Sequence, residues 1–141
     1  MIAEFTQNLV DKLKAVPALS GRVGLALAGG PNDTAMQNAP LPAAWVRFDG
    51  AYPMDTDING NLCEDIVFEF TALLMISYKT DGELINTSLP VLDACAQAVS
   101  GHDSTDFGLR WKYQGAQLVD IFSDRLVYEV RFAVSSSYIV S

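Results

Sequence analysis

Residues 55–60 (DTDING) carry oxygen-bearing side chains at alternate positions, which is the ligand spacing of a calcium-binding loop. In that interpretation Asp55, Asp57 and Asn59 supply the ligands at positions one, three and five. Such a loop also needs a bidentate glutamate at position twelve and a helix on each side. This sequence has Ile66 at that position, and the neighbouring segments are typical of strands. We therefore predict a solvated acidic turn and no metal site.

Nucleophilic catalysis needs a base beside a nucleophile, and His102 is the one histidine of the sequence. It follows a predicted helix end, and the fold would have to bring it to Cys63 or Ser104. The sequence has no nucleophile-elbow or zinc-protease motif, and Gly29 and Gly30 do not fit a phosphate-binding loop. We predict that the chain is not an enzyme and has no cofactor.

Charged and aromatic residues in the predicted strands allow two further interpretations. Glu69 and Arg131 could form an ion pair across the sheet, which contributes little when it is exposed to water. Trp45, Trp111 and Tyr113 could form a platform for a ligand, but aromatic residues in strands more often belong to a core or an interface. We interpret these three as core or interface residues.

The composition is that of one globular domain, predicted over residues 1–141. Half of the residues are hydrophobic, and 17 acidic against 9 basic residues give a net charge of -8. This charge argues against a large nucleic-acid groove and against an anionic membrane surface. Two cysteines are too few for a disulfide framework, and Glu4 and Asp11 interrupt any secretory signal, so we expect free thiols and folding in a cytoplasm.

Apolar residues at helical spacing predict an amphipathic helix over residues 2–16, which Pro17 and Gly21 would end. Short strands are predicted at 22–27 and 43–48.

The segments around the second of these strands are of a different kind. Residues 28–42 are rich in glycine and proline, which predicts a long loop with a functional role. Another polar stretch is predicted at 49–65.

The strongest strand pattern covers residues 66–78, where every second side chain is non-polar or aromatic. The opposite face begins polar and becomes apolar at Leu73 and Met75. We expect a second element or a neighbouring subunit to cover that end. Asp81-Gly82 predicts the turn that ends the strand.

A second helix is predicted to start at a cap formed by Asn86, Thr87 or Ser88 and to end at Gly101. Residues 107–138 return to strands, with a tight hairpin at 122–125. This order of elements predicts an α+β fold: a mostly antiparallel sheet of four or five strands with two helices packed on one face.

The opening helix and the turn that follows it, residues 15–23 (AVPALSGRV), resemble the start of tail terminator (tail completion) proteins of long-tailed bacteriophages. Those proteins open with a helix, a turn similar to L-P-x-L-x-G-R-V and a short strand. A loop rich in proline and alanine, a long hydrophobic strand, one helix and a closing hairpin follow. The sequence has this order over nearly its whole length.

The resemblance implies a structural, non-enzymatic virion protein that forms a ring, usually a hexamer, at the head-proximal end of the tail. Such a ring caps the tail tube protein, stops its polymerisation and presents a surface to the neck protein. In contractile tails it also meets the last ring of sheath protein. DNA only passes through the lumen, which suits an acidic chain.

Two alternatives stay open. One is another connector of the virion, such as a head–tail stopper or a neck protein. The other is a small ligand-binding or enzymatic α+β domain.

Contacts with other subunits or partners are expected at the glycine-rich loop, the acidic turn, the apolar end of the long strand and the apolar final residues. The last of these could add as a strand to an adjacent subunit. The residues concerned are Gly29, Gly30, Asn32, Asp55, Asp57, Asn59, Leu73, Met75, Tyr138 and Ile139.

Overall fold

The fold is known from a computed structural model that describes residues 1–26, 38–53, 63–104 and 109–139. Its five strands are β1 (Val23–Leu25), β2 (Ala43–Pro53), β3 (Cys63–Ser77), β4 (Lys112–Phe122) and β5 (Arg125–Ile139). They form one sheet in the order β1-β2-β3-β5-β4, in which β1 and β2 are parallel and all other neighbours antiparallel. The predicted α+β fold with a mostly antiparallel sheet is confirmed.

The first helix, α1 (Ile2–Lys14), forms as its apolar spacing predicts. Phe5, Leu9 and Leu13 lie on one stripe and are fully buried against the sheet. A 3-10 turn over Pro17–Leu19 follows and leads into β1.

The second helix, α2, begins earlier than predicted. It opens with a turn at Asp81–Glu83, widens into a π-helix over Leu84–Ser88 and continues as an α-helix over Leu89–Val99. Thr80 caps it, because its hydroxyl accepts a 3.1 Å hydrogen bond from the Glu83 amide. The prediction that Asp81-Gly82 forms the turn that ends β3 was therefore wrong, because these residues form the first turn of a helix.

The predicted caps of α2 lie inside the helix. Asn86, Thr87 and Ser88 all belong to its π-helical part. The Ser88 hydroxyl donates a 2.5 Å hydrogen bond to the carbonyl of Ser77 in β3, so it ties the helix to the sheet.

Strand β2 is longer than predicted and occupies the start of the segment expected to be polar loop. After Phe48 the register with β3 shifts by one residue, and pairing resumes at Gly50 opposite Glu69. Asp49 is the extra residue, so a β-bulge interrupts the alternation that sequence patterns detect.

The main core lies between one face of the sheet and the two helices, as predicted. It joins the apolar stripe of α1 with Val91, Cys95 and Val99 of α2 and with alternate residues of β2, β3 and β5. No helix within the described ranges is long and apolar enough to cross a membrane.

The predicted hairpin at 122–125 is confirmed. Phe122 pairs with Arg125, and Ser123 has a positive φ of 55°, as a tight two-residue turn requires. Strand β5 then pairs with β3 over the length of both strands, from Ser77 opposite Arg125 to Cys63 opposite Ile139.

Candidate interaction surfaces

Two of the residues tested for nucleophilic catalysis, His102 and Ser104, lie in different environments. His102 is exposed just after α2. Ser104 is fully buried, and its hydroxyl donates to the carbonyl of Leu109 at 2.6 Å. Cys63 lies at the start of β3, where its backbone pairs with Ile139.

The second cysteine is a core residue. Cys95 is buried beneath α2, and burial raises the pKa of its thiol to about 12. A thiol that stays protonated at neutral pH is a poor nucleophile and a poor metal ligand.

The calcium-loop residues Asp55, Asp57 and Asn59 lie outside the described residues. Over the ranges that are described, no three His, Cys, Asp or Glu side chains stand close enough to hold a metal ion.

A network of charged side chains lies on the sheet face opposite the helices. Arg47 contacts Asp49 through Nε (2.6 Å) and Glu129 through Nη2 (3.5 Å). Arg131 donates to the other oxygen of Glu129 at 3.1 Å, and the buried Thr71 hydroxyl donates to Asp49. These side chains border a polar recess of about 270 Å³.

Within the network itself, the two arginines and the two acidic residues neutralise one another. Burial acts to lower the pKa of Arg47, but the hydrogen bond and charge of Asp49, with those of Glu129, raise it overall. Two guanidinium groups face two carboxylates within the network, and Glu69 also lines the recess, so the wall of the recess carries one excess negative charge.

The predicted ion pair between Glu69 and Arg131 was wrong. The register places Glu69 opposite Ala133 and Arg131 opposite Thr71, two positions apart along the ladder. Arg131 instead pairs with Glu129 on its own strand and face.

The three aromatic residues do not form one platform. Trp111 is buried in the main core, where its indole nitrogen donates a 2.9 Å hydrogen bond to Asn8 of α1. Trp45 lies on the opposite face of the sheet, beside a separate apolar cluster. Tyr113 is exposed on β4, and its ring packs on Phe132 at 5.9 Å between centroids.

Leu73 and Met75 form that separate cluster with Val127 and are fully buried. Partly buried Leu41 and Trp45 pack against them, and Arg125 approaches the Met75 sulfur at 3.5 Å. The chain's own residues therefore cover this end of β3, which settles the choice left open between a second element and a neighbouring subunit.

The other expected contact residues divide into two groups. Gly29, Gly30 and Asn32 lie outside the described residues, as does the acidic turn. Tyr138 and Ile139 belong to β5, whose backbone pairs there with Glu64 and Cys63 of β3.

A groove of about 590 Å³ lies at the start of α2, and the sequence analysis did not predict it. Lys79, Glu83 and Arg125 lie in its wall beside Leu41 and Val91. Glu83 is already engaged, because its carboxylate accepts from the Ser77 hydroxyl (2.8 Å) and from the Lys79 amide (3.1 Å). The sequence Thr80-x-x-Glu83 is a capping-box pattern, which could have indicated the start of α2 beside this groove.

A second surface that sequence reasoning missed is strand β4, which forms one edge of the sheet. Its partners in β5 are largely buried, but the side chains of β4 are mostly exposed. The large apolar ones among them are Tyr113, Leu118, Val119 and Ile121.

Comparison with known proteins identifies the fold. No protein-family model matches the chain, and no curated protein matches its sequence. Among solved structures, the chain is similar to one described as "Virion of native gene transfer agent (GTA) particle", with a TM-score of 0.55 and 16% identity. The match covers 90% of this chain and 90% of that chain, so the two proteins share a fold over almost their full length.

Proposed function

We propose that the chain is a structural protein of a phage-type virion, which forms a ring and closes the head-proximal end of the tail tube. The observation that carries the proposal is the likeness of fold to a virion chain over 90% of both chains. The order of elements that resembles tail terminator proteins supports it: opening helix, turn, short strand, long strand, second helix and closing hairpin. In this role the chain works through its surfaces and transforms no substrate.

The partners of such a ring are further copies of the chain, usually six in all, the tail tube protein and the neck protein. In a contractile tail the last ring of sheath protein is a further partner. The ring is assembled in the bacterial cytoplasm and stays in the virion.

The charge of the chain suits a ring through which DNA passes. Each copy carries a net charge of -8, so a ring of copies repels the phosphate backbone. The arginines of the sheet's open face support this, because Arg47 and Arg131 are neutralised by Asp49 and Glu129. DNA can therefore move through the lumen without binding to it.

Tube polymerisation tests the proposal. Purified chain is added to a tail tube protein during its assembly, and tube length is measured by negative-stain electron microscopy. We expect shorter tubes that carry a ring at one end. Tubes of unchanged length with no ring would overturn the proposal, and binding to a portal or adaptor ring instead would identify a head–tail stopper.

A further inference from the structure

The separate apolar cluster of Leu73, Met75 and Val127 is covered in part by the segment that leads into β2. Within residues 39–42 (APLP), the side chain of Leu41 packs against the cluster. We call residues 39–42 the strap. The three cluster side chains are at most 1% exposed, so a movement of the strap away from the sheet brings buried apolar surface into contact with water.

The strap is attached to the rest of the fold by two arginine side chains. Arg125 of β5 donates a 2.7 Å hydrogen bond from Nη1 to the carbonyl of Ala39, and the same nitrogen lies 3.5 Å from the Met75 sulfur. At the other end of the strap, Arg22 donates a 2.9 Å hydrogen bond from Nε to the carbonyl of Pro42. Both donors are charged, so each bond contributes more than a hydrogen bond between neutral groups.

The backbone of the strap is not part of the sheet. Pro40 and Pro42 have no N–H group to donate. Among the residues that the structure describes, no backbone–backbone hydrogen bond joins the strap to a strand or a helix, and the ladder of β2 with β3 begins at Ala43 opposite Met75. A segment held by so few hydrogen bonds opens at a lower free energy than the strands beside it.

The strap also has room to move on the side that faces helix α2. Leu41 and Pro42 line the groove of about 590 Å³, and Thr87 and Val91 of α2 line it as well. The groove therefore separates this part of the strap from the helix, and α2 does not press it against the sheet.

The geometry points to a strap that opens by itself while the main core stays closed. Opening breaks the two arginine hydrogen bonds, withdraws Leu41 and exposes the cluster. Leu73 and Met75 are residues that the sequence pattern predicts at an interface, and Leu41 helps to cover them in the closed chain. The strap is thus a conformational device that makes this apolar surface accessible only in the open form. The inference is independent of the proposed ring.

Thiol labelling measures the opening of the strap. Val127→Cys places a reporter of similar size in the cluster, and the native Cys95 in the main core is the reference in the same molecule. Circular dichroism checks that the variant is folded. The folded protein is then treated with iodoacetamide at mildly alkaline pH, and peptide mapping by mass spectrometry gives the reaction rate at each cysteine.

We expect the cysteine at position 127 to react at least about tenfold faster than Cys95, because it becomes accessible through local opening. Cys95 lies beneath α2 and reacts only when the main core opens. Equal rates at the two positions would show that both become accessible only by global unfolding, which would overturn the inference.

Removal of one arginine hydrogen bond tests what holds the strap. In the Val127→Cys protein, Arg22→Ala should raise the rate at position 127 by about tenfold and leave the rate at Cys95 unchanged. Arg22 is suited to this test because it directly precedes β1, at the edge of the sheet away from β5, which carries the reporter.

Arg110→Ala is the matched control for the loss of an arginine. The Arg110 side chain is 72% exposed and its pair with Asp103 is 3.7 Å long, so both labelling rates should stay the same. If Arg22→Ala has no effect at position 127, or raises the rates at both cysteines equally, the strap is not the element that opens.

Discussion

The indole nitrogen of Trp111 and the side-chain oxygen of Asn8 are joined by a 2.9 Å hydrogen bond that links the segment before β4 to helix α1. The Trp111 ring also meets Phe5 of α1 at 6.2 Å and Phe70 of β3 at 5.3 Å between centroids, both edge to face. One side chain therefore fixes the position of α1 over the centre of the sheet. The outer side of this helix and strand β1 border a groove of about 420 Å³.

Asn8→Leu should destabilise the protein by about 1 to 3 kcal/mol, because it leaves the indole N–H of buried Trp111 without its acceptor. Urea unfolding followed by tryptophan fluorescence measures the change. Gln7→Leu on the exposed side of the same helix is the control and should change stability by less than about 0.5 kcal/mol. Equal unfolding midpoints for the two variants would contradict the assigned role of Asn8.

Thr80→Ala should cost about 1 kcal/mol, since it removes the cap that accepts from the Glu83 amide. Asn86→Ala should have a much smaller effect, because Asn86 is an exposed residue within the helix. Thermal unfolding of the two variants compares these positions directly. The reverse order of effects would place the start of α2 where the sequence pattern alone puts it.

Cys95 should resist alkylation in the folded protein at mildly alkaline pH and react once urea unfolds the chain. The reason is burial, which raises the pKa of its thiol to about 12. Peptide mapping by mass spectrometry distinguishes it from Cys63. Alkylation of Cys95 at equal rates in both states would contradict its place in the core.

The same thiol gives stability a pH dependence of known sign. The folded state holds the proton up to a pH of about 12, whereas the unfolded thiol loses it near about 8.5. The contribution of this thiol to the free energy of unfolding is therefore complete below the pKa of the unfolded state. Between the two pKa values it falls by about 1.4 kcal/mol per pH unit. In Cys95→Ala, the free energy of unfolding should fall less steeply with pH, by that amount, over the same pH range. Identical slopes in the wild type and the variant would contradict the raised pKa of Cys95.

The charged network on the open face should contribute little stability. A double-mutant cycle between Arg131 and Glu129 is expected to give a coupling below about 1 kcal/mol that decreases with added salt, because the arginine side chain is half exposed. The pair between Arg110 and Asp103, which is longer and more exposed, should show no measurable coupling. A coupling at Arg131 that is insensitive to salt would indicate a more deeply buried network.

Local periodicity was enough to predict α1, β3, β5 and the hairpin at 122–125, because each has an unbroken apolar pattern or a turn of defined type. It failed where structure depends on a partner strand. β2 continues past Asp49 only because β3 pairs with it on both sides of the bulge. The ion pair assigned to Glu69 failed for a related reason, since sequence alone does not give the alignment of β3 with β5.

The candidate surfaces were harder to predict than the fold. Tyr113, Leu118 and Ile121 are exposed apolar residues on one face of β4. Two bulges separate them by five and three positions, so the sequence lacks the alternation that identifies one face of a strand. Thr80 and Glu83 form a capping-box pattern, but the Asp-Gly pair between them also favours a turn. Only the observed hydrogen bond decides between the two.

The pairing of β3 with β5 also has a consequence for synthesis on the ribosome. β3 is rich in apolar residues and has two neighbours in the sheet, β2 and β5. β2 precedes it in the chain, but β5 is translated only after α2 and β4. Until β5 is made, β3 is an aggregation-prone strand whose unpaired backbone edge is exposed to other nascent chains. The yield of folded protein should therefore depend on how quickly the segment from α2 to β5 is translated, or on a chaperone that shields β3 in the interval.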